Sequence, residues 1–407
     1  MRSLGGVSRA GTSHERGWAV LLLAAACGGA TEPRARPDGP VEHGTEHGSE
    51  HGSKPAEPSK APVSGRSVAA PEGTLDTTTV PGSILFVSER DGNLEVYRWR
   101  AGAELQRLTE DPRADFVGQV PADGSGWVRV ITEDGASPEE HRERLWWVPT
   151  EGDAVPIGEP GRRARAAHWA PDRRFVVLET DREGAFSDIW RWDPSGSIRR
   201  LTHTEHGAFE PAVSPDGQQV AYVSTQDGNP ELYVMAADGT NARRLTQWRR
   251  DDLSPRWSPD GTRLAFLRRE RGGERLFVLD WSVPGEPAPG EPRAQRLVPT
   301  AEGERVKHAD HTWSPDGSAL AYTVHRPDTA PQIVVTTVED RASRVVSPEH
   351  LRATMPDWSP QGRYLVFAGT EQQPDALDLY VVTRDGEAWA RLTRDPAPDW
   401  LPRWSAR

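Results

Sequence analysis

Cysteine is almost absent from this chain: of 407 residues only Cys27 carries a thiol, so no intrachain disulfide can staple the fold. Lysine is nearly missing as well, confined to Lys54, Lys60 and Lys307, while arginine is plentiful; the bias reads as GC-rich coding rather than chemistry. Acidic residues outnumber basic ones, 61 to 49, and the net charge of −12 argues against a general nucleic-acid-binding surface. No Gly-x-Ser-x-Gly occurs anywhere, which removes the nucleophile elbow that an α/β-hydrolase requires. Glycine and proline, at 38 and 36 residues, are abundant in the way turn-rich β proteins demand.

What is present is a repeat. Pro255-Arg256-Trp257-Ser258-Pro259-Asp260-Gly261 and Thr312-Trp313-Ser314-Pro315-Asp316-Gly317 are its fullest copies. Trp358-Ser359-Pro360-Gln361-Gly362, Trp169-Ala170-Pro171-Asp172 and Val213-Ser214-Pro215-Asp216-Gly217 are variants, and Trp404-Ser405 is a truncated copy. Neighbouring copies lie mostly about 45 residues apart, a period of propellers and solenoids. Ser-Pro-Asp-Gly is the composition of a type I turn, with Pro presetting φ and Gly relieving the exit. A short apolar run follows each turn, as in Val220-Ala221-Tyr222-Val223 and Leu365-Val366-Phe367-Ala368, apolar on both faces like a strand between two sheets. A second strand (Leu232-Tyr233-Val234-Met235), an Asp-Gly turn and a strand ending Arg-Leu-Thr complete the unit. Each unit is therefore expected to be a four-stranded antiparallel meander, one propeller blade.

The blade count depends on the ends. Ile84 to Thr109 has three strands of a unit and lacks the inner one, whereas Leu401-Pro402-Arg403-Trp404-Ser405 is an inner strand with nothing after it. Pairing the two removes the exposed edges of an open sheet. A degenerate unit, with Val120-Pro121-Ala122-Asp123-Gly124 at its turn and Trp127 to Ile131 as a strand, lies next in the chain. The expected fold is thus an all-β, seven-bladed β-propeller over residues 81–407, closed by a C-terminal strand on the N-terminal blade, with six blades as the alternative if the degenerate unit fails.

Ahead of the repeats, arginines precede the apolar run Trp18 to Ala26, which has signal-peptide length and is too short for a membrane span. Cys27 stands directly after it, so residues 1–26 read as a lipoprotein signal and Cys27 as the lipidation site; cleavage by ordinary signal peptidase after Ala26 is the other option. Either way the chain is expected to be exported to the periplasm, and a lipidated Cys27 would anchor it to a membrane, the outer one favoured by Gly28 in place of Asp. Residues 27–80 are Pro, Gly, Glu, Ser and His with few apolar side chains, and read as a flexible tether. Within it Glu42-His43-Gly44, Glu46-His47-Gly48 and Glu50-His51-Gly52 recur every four residues; this is read as low-complexity spacer over metal-binding tract.

The pattern Leu-Thr, polar residues, Pro-x-Trp-Ser-Pro-Asp-Gly, apolar strand, Asp-Gly, Leu-Tyr-Val resembles the WD40-like PD40 repeat of the TolB family of propellers, best in Phe209 to Thr246 and Ser254 to Phe266. The resemblance implies an exported propeller that works by binding, with a Pal-like or peptidoglycan-associated protein as the kind of partner. The family's separate α/β domain has no counterpart here, its place being taken by the tether. A non-enzymatic, monomeric interaction scaffold without cofactor is the expectation. A propeller enzyme with its site in the channel, a metal-dependent polysaccharide lyase or a hydrolase, is the alternative.

Candidate residues follow from position. The tryptophans that recur once per repeat are expected to pack the seams, and the recurring Asp172, Asp216, Asp260 and Asp316 to build turns. His308, Asp310 and His311 are the one metal-like group, without a third ligand to match. The residues just before each inner-strand tryptophan converge on the channel: His168, Glu210, Arg256, Asp310, His311, Asp357 and Arg403. These polar, variable positions on a rigid scaffold are the expected partner-contacting face.

Overall fold

The computed structural model describes residues 73–407 apart from residues 122, 134–141, 159–162, 182–185, 282–293, 299–303 and 372–375. The expected signal, Cys27 and the His-Gly tract all fall outside the described residues. Seven four-stranded antiparallel sheets follow one another along the chain. We number them as blades 1 to 7; their inner strands are Asp399–Ser405, Ala114–Val117, Arg165–Trp169, Ala208–Val213, Asp252–Trp257, Lys307–Trp313 and Arg352–Trp358. The degenerate unit does form a sheet, so seven is the count.

The repeat chemistry is visible in the turns. In Ser214 to Gly217 the glycine N–H donates to the serine carbonyl at 2.9 Å, and the same bond closes the turns beginning at Ser258, Ser314 and Ser359. Each serine Oγ also accepts an amide further on, from Gln219, Arg263, Ala319 and Tyr364, which starts the next strand in register. The turn aspartates accept the amide two residues later, as Asp260 does from Thr262 at 3.0 Å. In blade 3 Arg173 stands at the glycine position and takes up its left-handed backbone, φ 57°.

The Arg-Leu-Thr strand ends hold buried acids. Thr246 Oγ1 donates to Glu231 and accepts the Leu232 amide at 3.0 Å, while Arg244 reaches the same carboxylate at 3.0 Å. Glu95 with Arg107 and Thr109, Asp188 with Arg200 and Thr202, and Asp378 with Arg391 and Thr393 repeat the arrangement. A buried charge is tolerable only when paired and hydrogen-bonded in this way.

Blade seams carry the core. Ile84 to Val87, Val220 to Val223 and Leu365 to Ala368 are buried throughout. Trp257, Trp313 and Trp358 donate their indole N–H to carbonyls of the preceding blade, those of Ala212, Arg256 and Thr312. The tryptophans are therefore seam residues.

Closure is as the ends of the chain require. Asp399–Ser405 pairs antiparallel with Ser83–Ser88, Ile84 opposite Trp404 and Ser88 opposite Asp399. Residues 73–80, counted above with the tether, already touch the propeller: the Leu75 amide donates to the Trp389 carbonyl at 3.0 Å, and Val80 is buried beside Ile84, Tyr364 and Trp404. Leu75 and Val80 thus give the propeller apolar anchors ahead of its first strand.

Candidate functional site

Six inner strands break their ladder at one place. Ala166, Glu210, Ser254, Asp310, Met355 and Leu401, each three residues before the tryptophan or its equivalent, have φ between 49° and 58°. Strand registers shift across this point in every one of these blades. None of the six is Gly or Asn, so each bulge costs on the order of 1–3 kcal/mol and must be held by its surroundings. A bulge also turns a backbone amide out of the ladder, where it needs an acceptor.

At three of the six the preceding blade supplies that acceptor. Glu179 of blade 3 takes the Glu210 amide at 2.7 Å, Glu210 of blade 4 takes the Ser254 amide at 2.6 Å, and Thr323 of blade 6 takes the Met355 amide at 3.3 Å. Gln119 and Asp357 accept the Trp169 and Trp404 amides, both at 2.7 Å, and His168 Nδ1 faces the Val213 amide at 3.4 Å. These acceptors join blades 2 to 3, 3 to 4, 4 to 5, 6 to 7 and 7 to 1. Glu210, Asp357 and His168 were expected at a partner-contacting face; each also takes part in inter-blade hydrogen bonding, and the amides they meet cannot be read from the sequence.

All seven residues expected at the channel line one cavity of about 240 Å³. It adjoins a second of about 550 Å³ toward the Ser-Pro-Asp-Gly turns, and Gln119, His168, Arg256, His311 and Thr312 belong to the walls of both. Burial pushes the Glu210 carboxyl up to about 7, with the nearby Glu179 adding to the effect and the Ser254 amide and Arg256 opposing it. Part of Glu210 faces the channel, so solvent moderates its isolation. Burial also raises Asp357 and Glu143, and Glu143 Oε2 has no hydrogen-bond partner among the described residues. The imidazoles shift the other way: burial and then the Arg256 guanidinium bring His168 down to about 4 and His311 to about 3. Both rings are therefore neutral at pH 7.

His308 does not share this site. Its ring lies 4.8 Å from that of Tyr322, and its Nδ1 accepts the Leu276 amide at 3.2 Å, the bond that threonine makes in the Arg-Leu-Thr blades. Blade 5 has Val298 at the threonine position, and His308 from the next blade replaces the lost acceptor. His308 is thus a seam residue, apart from Asp310 and His311 in the cavity wall. Among the described residues no group of three or more His, Cys, Asp or Glu side chains is placed to hold a metal ion.

Residues 147–286 match the family model described as PD40, TolB beta propeller domain. The Tol-Pal system protein TolB of Anaeromyxobacter dehalogenans (strain 2CP-C) is 32% identical over 75 residues, 18% of this chain and 17% of that protein. An uncharacterized peptidase, YuxL, of Bacillus subtilis (strain 168) is 27% identical over 104 residues, 25% of this chain and 16% of its own length. The chain therefore spans about a sixth of these curated relatives. Among solved structures, an oligogalacturonate lyase in complex with manganese superposes with TM-score 0.55 at 15% identity, covering 77% of this chain and 86% of the lyase, which shows a shared fold and no more. The chain carries TolB-type PD40 propeller repeats, and its distant relatives divide between TolB and enzymes.

Proposed function

We propose that this propeller is a non-enzymatic binding module of the cell envelope, exported and anchored through Cys27, that presents its channel face to an envelope protein of the Pal-like or peptidoglycan-associated kind. One observation carries the reading. Three ionisable side chains of the cavity are tied into the frame: Glu210 holds the Ser254 amide, Asp357 the Trp404 amide, and His168 faces that of Val213. A carboxyl whose oxygen completes a strained bulge in the next blade is a poor proton shuttle, because it cannot swing toward a substrate without releasing that amide. Fixed groups of this kind suit recognition, where a rigid scaffold limits the entropy lost on binding. The PD40 repeats shared with TolB favour the same class.

Arg256 and Arg403 are the side chains of this face that extend charge into the channel without holding a neighbour's amide through a side-chain acceptor. Replacing both with Ala and cross-linking the protein in cells tests the proposal. Capture of the partner is expected to fall at least tenfold with Tm within about 2 °C of the parent; undiminished capture by the double variant refutes the assignment. A second reading, an enzyme such as a metal-dependent polysaccharide lyase, draws on the raised carboxyls of Glu210 and Glu143 in one cavity. Stoichiometric manganese, zinc or calcium in the purified protein would favour it.

A further inference from the structure

We propose that the turn-side chamber of the channel is a binding site for a small oxyanion, a carboxylate or a phosphate, received by Arg256, His311 and the indole N–H of Trp169. Two buried polar groups in its wall point to a ligand. His311 is 6% exposed and neither ring nitrogen makes a hydrogen bond of ordinary geometry; the Ser254 and Ala265 backbones lie near without completing one. Trp169 is 5% exposed and its Nε1–H also lacks an acceptor. The equivalent indoles of Trp257, Trp313, Trp358 and Trp404 all donate to a carbonyl, so Trp169 is the exception in its own series. Buried polar groups without partners are uncommon and call for an explanation. Both residues belong to the wall of the chamber of about 550 Å³.

The sign of the ligand follows from the distribution of charge. The carboxyls of Glu143, Glu210, Asp310 and Asp357 line the adjoining cavity and not this chamber. The single acid on the chamber wall, Asp123, is paired with Arg173. What remains toward the chamber is Arg256, neutral imidazoles and an indole, a set dominated by donors. Arg256 lies close enough to His168 and His311 to hold both rings down, and His308 adds to this at His311. An anion placed among them is attracted by the guanidinium, accepts from Trp169 and favours protonation of the rings. Trp169 is kept in place by edge contacts with Trp147 and Trp192 at 5.0 and 6.2 Å, so its N–H direction is fixed before a ligand arrives. The inference concerns a small ligand bound by the propeller alone and goes beyond the protein partner proposed above.

The test is calorimetric titration of the purified full-length chain with inorganic phosphate and, separately, with acetate. Saturable binding is expected for at least one; which anion saturates identifies the class. Acetate, whose charge is constant from pH 6 to 8, should bind more tightly at pH 6 and with proton uptake. Arg256→Gln and His311→Asn should each weaken binding at least tenfold, and Trp169→Phe severalfold. Should Arg256→Gln fail to fold, Trp169→Phe retains the ring contacts and still removes the donor. Saturation by neither anion, or affinity unchanged in all the variants that fold, overturns the proposal. No partner protein is involved, so that failure leaves the envelope reading untouched.

Discussion

Removing the Trp404 side chain should cost more than its place near the C-terminus suggests. Trp404 is 3% exposed, stacks on Tyr364 at 15° with 6.4 Å between ring centres, and donates Nε1 to the Pro81 carbonyl at 2.9 Å. Its amide donates to Asp357 at 2.7 Å, so this one residue joins blade 7, the closing strand and the segment leading into blade 1. Truncating a buried aromatic to Ala costs about 3–5 kcal/mol, and the orphaned carbonyl of Pro81 adds about 1. Unfolding entropy of about 2.1 cal/mol/K per residue, over a cooperative ring of roughly 330 residues, amounts to about 0.7 kcal/mol/K. Trp404→Ala should therefore lower Tm by about 6–9 °C in a calorimetric scan. Trp404→Phe keeps most of the apolar area and loses chiefly the donor, so about 2 °C is expected. Trp257→Phe, which removes the bond to Ala212 in an interior seam, should match it. Trp404→Ala melting within 1 °C of the parent would falsify closure through this strand. Deleting Asp399–Arg407 removes three large apolar side chains exposed by no more than 3%, Trp400, Leu401 and Trp404. At about 1.5–3 kcal/mol each that loss is comparable with the whole stability of a domain, and the shortened chain should not remain folded.

Other consequences can be checked separately. Glu210 is raised from 4.5 to about 7 in the folded protein, so between these values the native state holds the extra proton and stability falls as pH rises. Glu210→Gln, which retains an acceptor for Ser254, should be more stable than the parent by about 1–2 kcal/mol at pH 8 and equal to it at pH 5, by urea unfolding; no pH dependence in the difference would exclude a buried, raised carboxyl. His168 and His311 act oppositely: lowered to about 4 and 3, they leave the native state full stability above about pH 6.5 and withdraw it on acidification toward those values. Thr246→Val strips Glu231 of a donor and the Leu232 amide of its acceptor, and should cost about 2–3 kcal/mol; a loss below 0.5 would show the clamp to be ornamental. Cys27→Ser should shift the protein from the membrane to the soluble fraction; unchanged membrane retention would rule out lipidation there.

The blades and their closure were legible because they rest on residue types with local consequences. Pro and Gly restrict φ within one turn, and an inner strand without followers next to a blade without an inner strand leaves one economical solution. The bulges were not legible. A left-handed residue usually announces itself as Gly or Asn, but here Ala166, Ser254, Met355 and Leu401 adopt that backbone, and at Ser254 and Met355 an acceptor from the preceding blade holds the turned-out amide. The same long-range cause hid the duties of Glu210 and Asp357: their partners lie 44 and 47 residues away. His308 misled for a related reason. A histidine two residues from an aspartate reads as a ligand pair in one dimension, yet it compensates for Val298, which lacks the threonine hydroxyl of other blades.

The bulges also bear on how the channel can respond to a ligand. In most domains a binding loop moves independently of the frame, whereas here the groups at the cavity wall are themselves the inter-blade fasteners. A ligand that drew Glu210 toward itself would release the Ser254 amide at a position already strained by its positive φ. The cost of that exchange, of the order of a buried unsatisfied amide, falls on the seam between blades 4 and 5. Recognition by this face should therefore proceed through Arg256, Arg403 and His311, whose side chains accept no amide of the next blade, while Glu210 and Asp357 stay in place. Double-mutant cycles on captured partner would show it: strong coupling to Arg256 and Arg403, and for Glu210→Gln a change in Tm with little change in affinity.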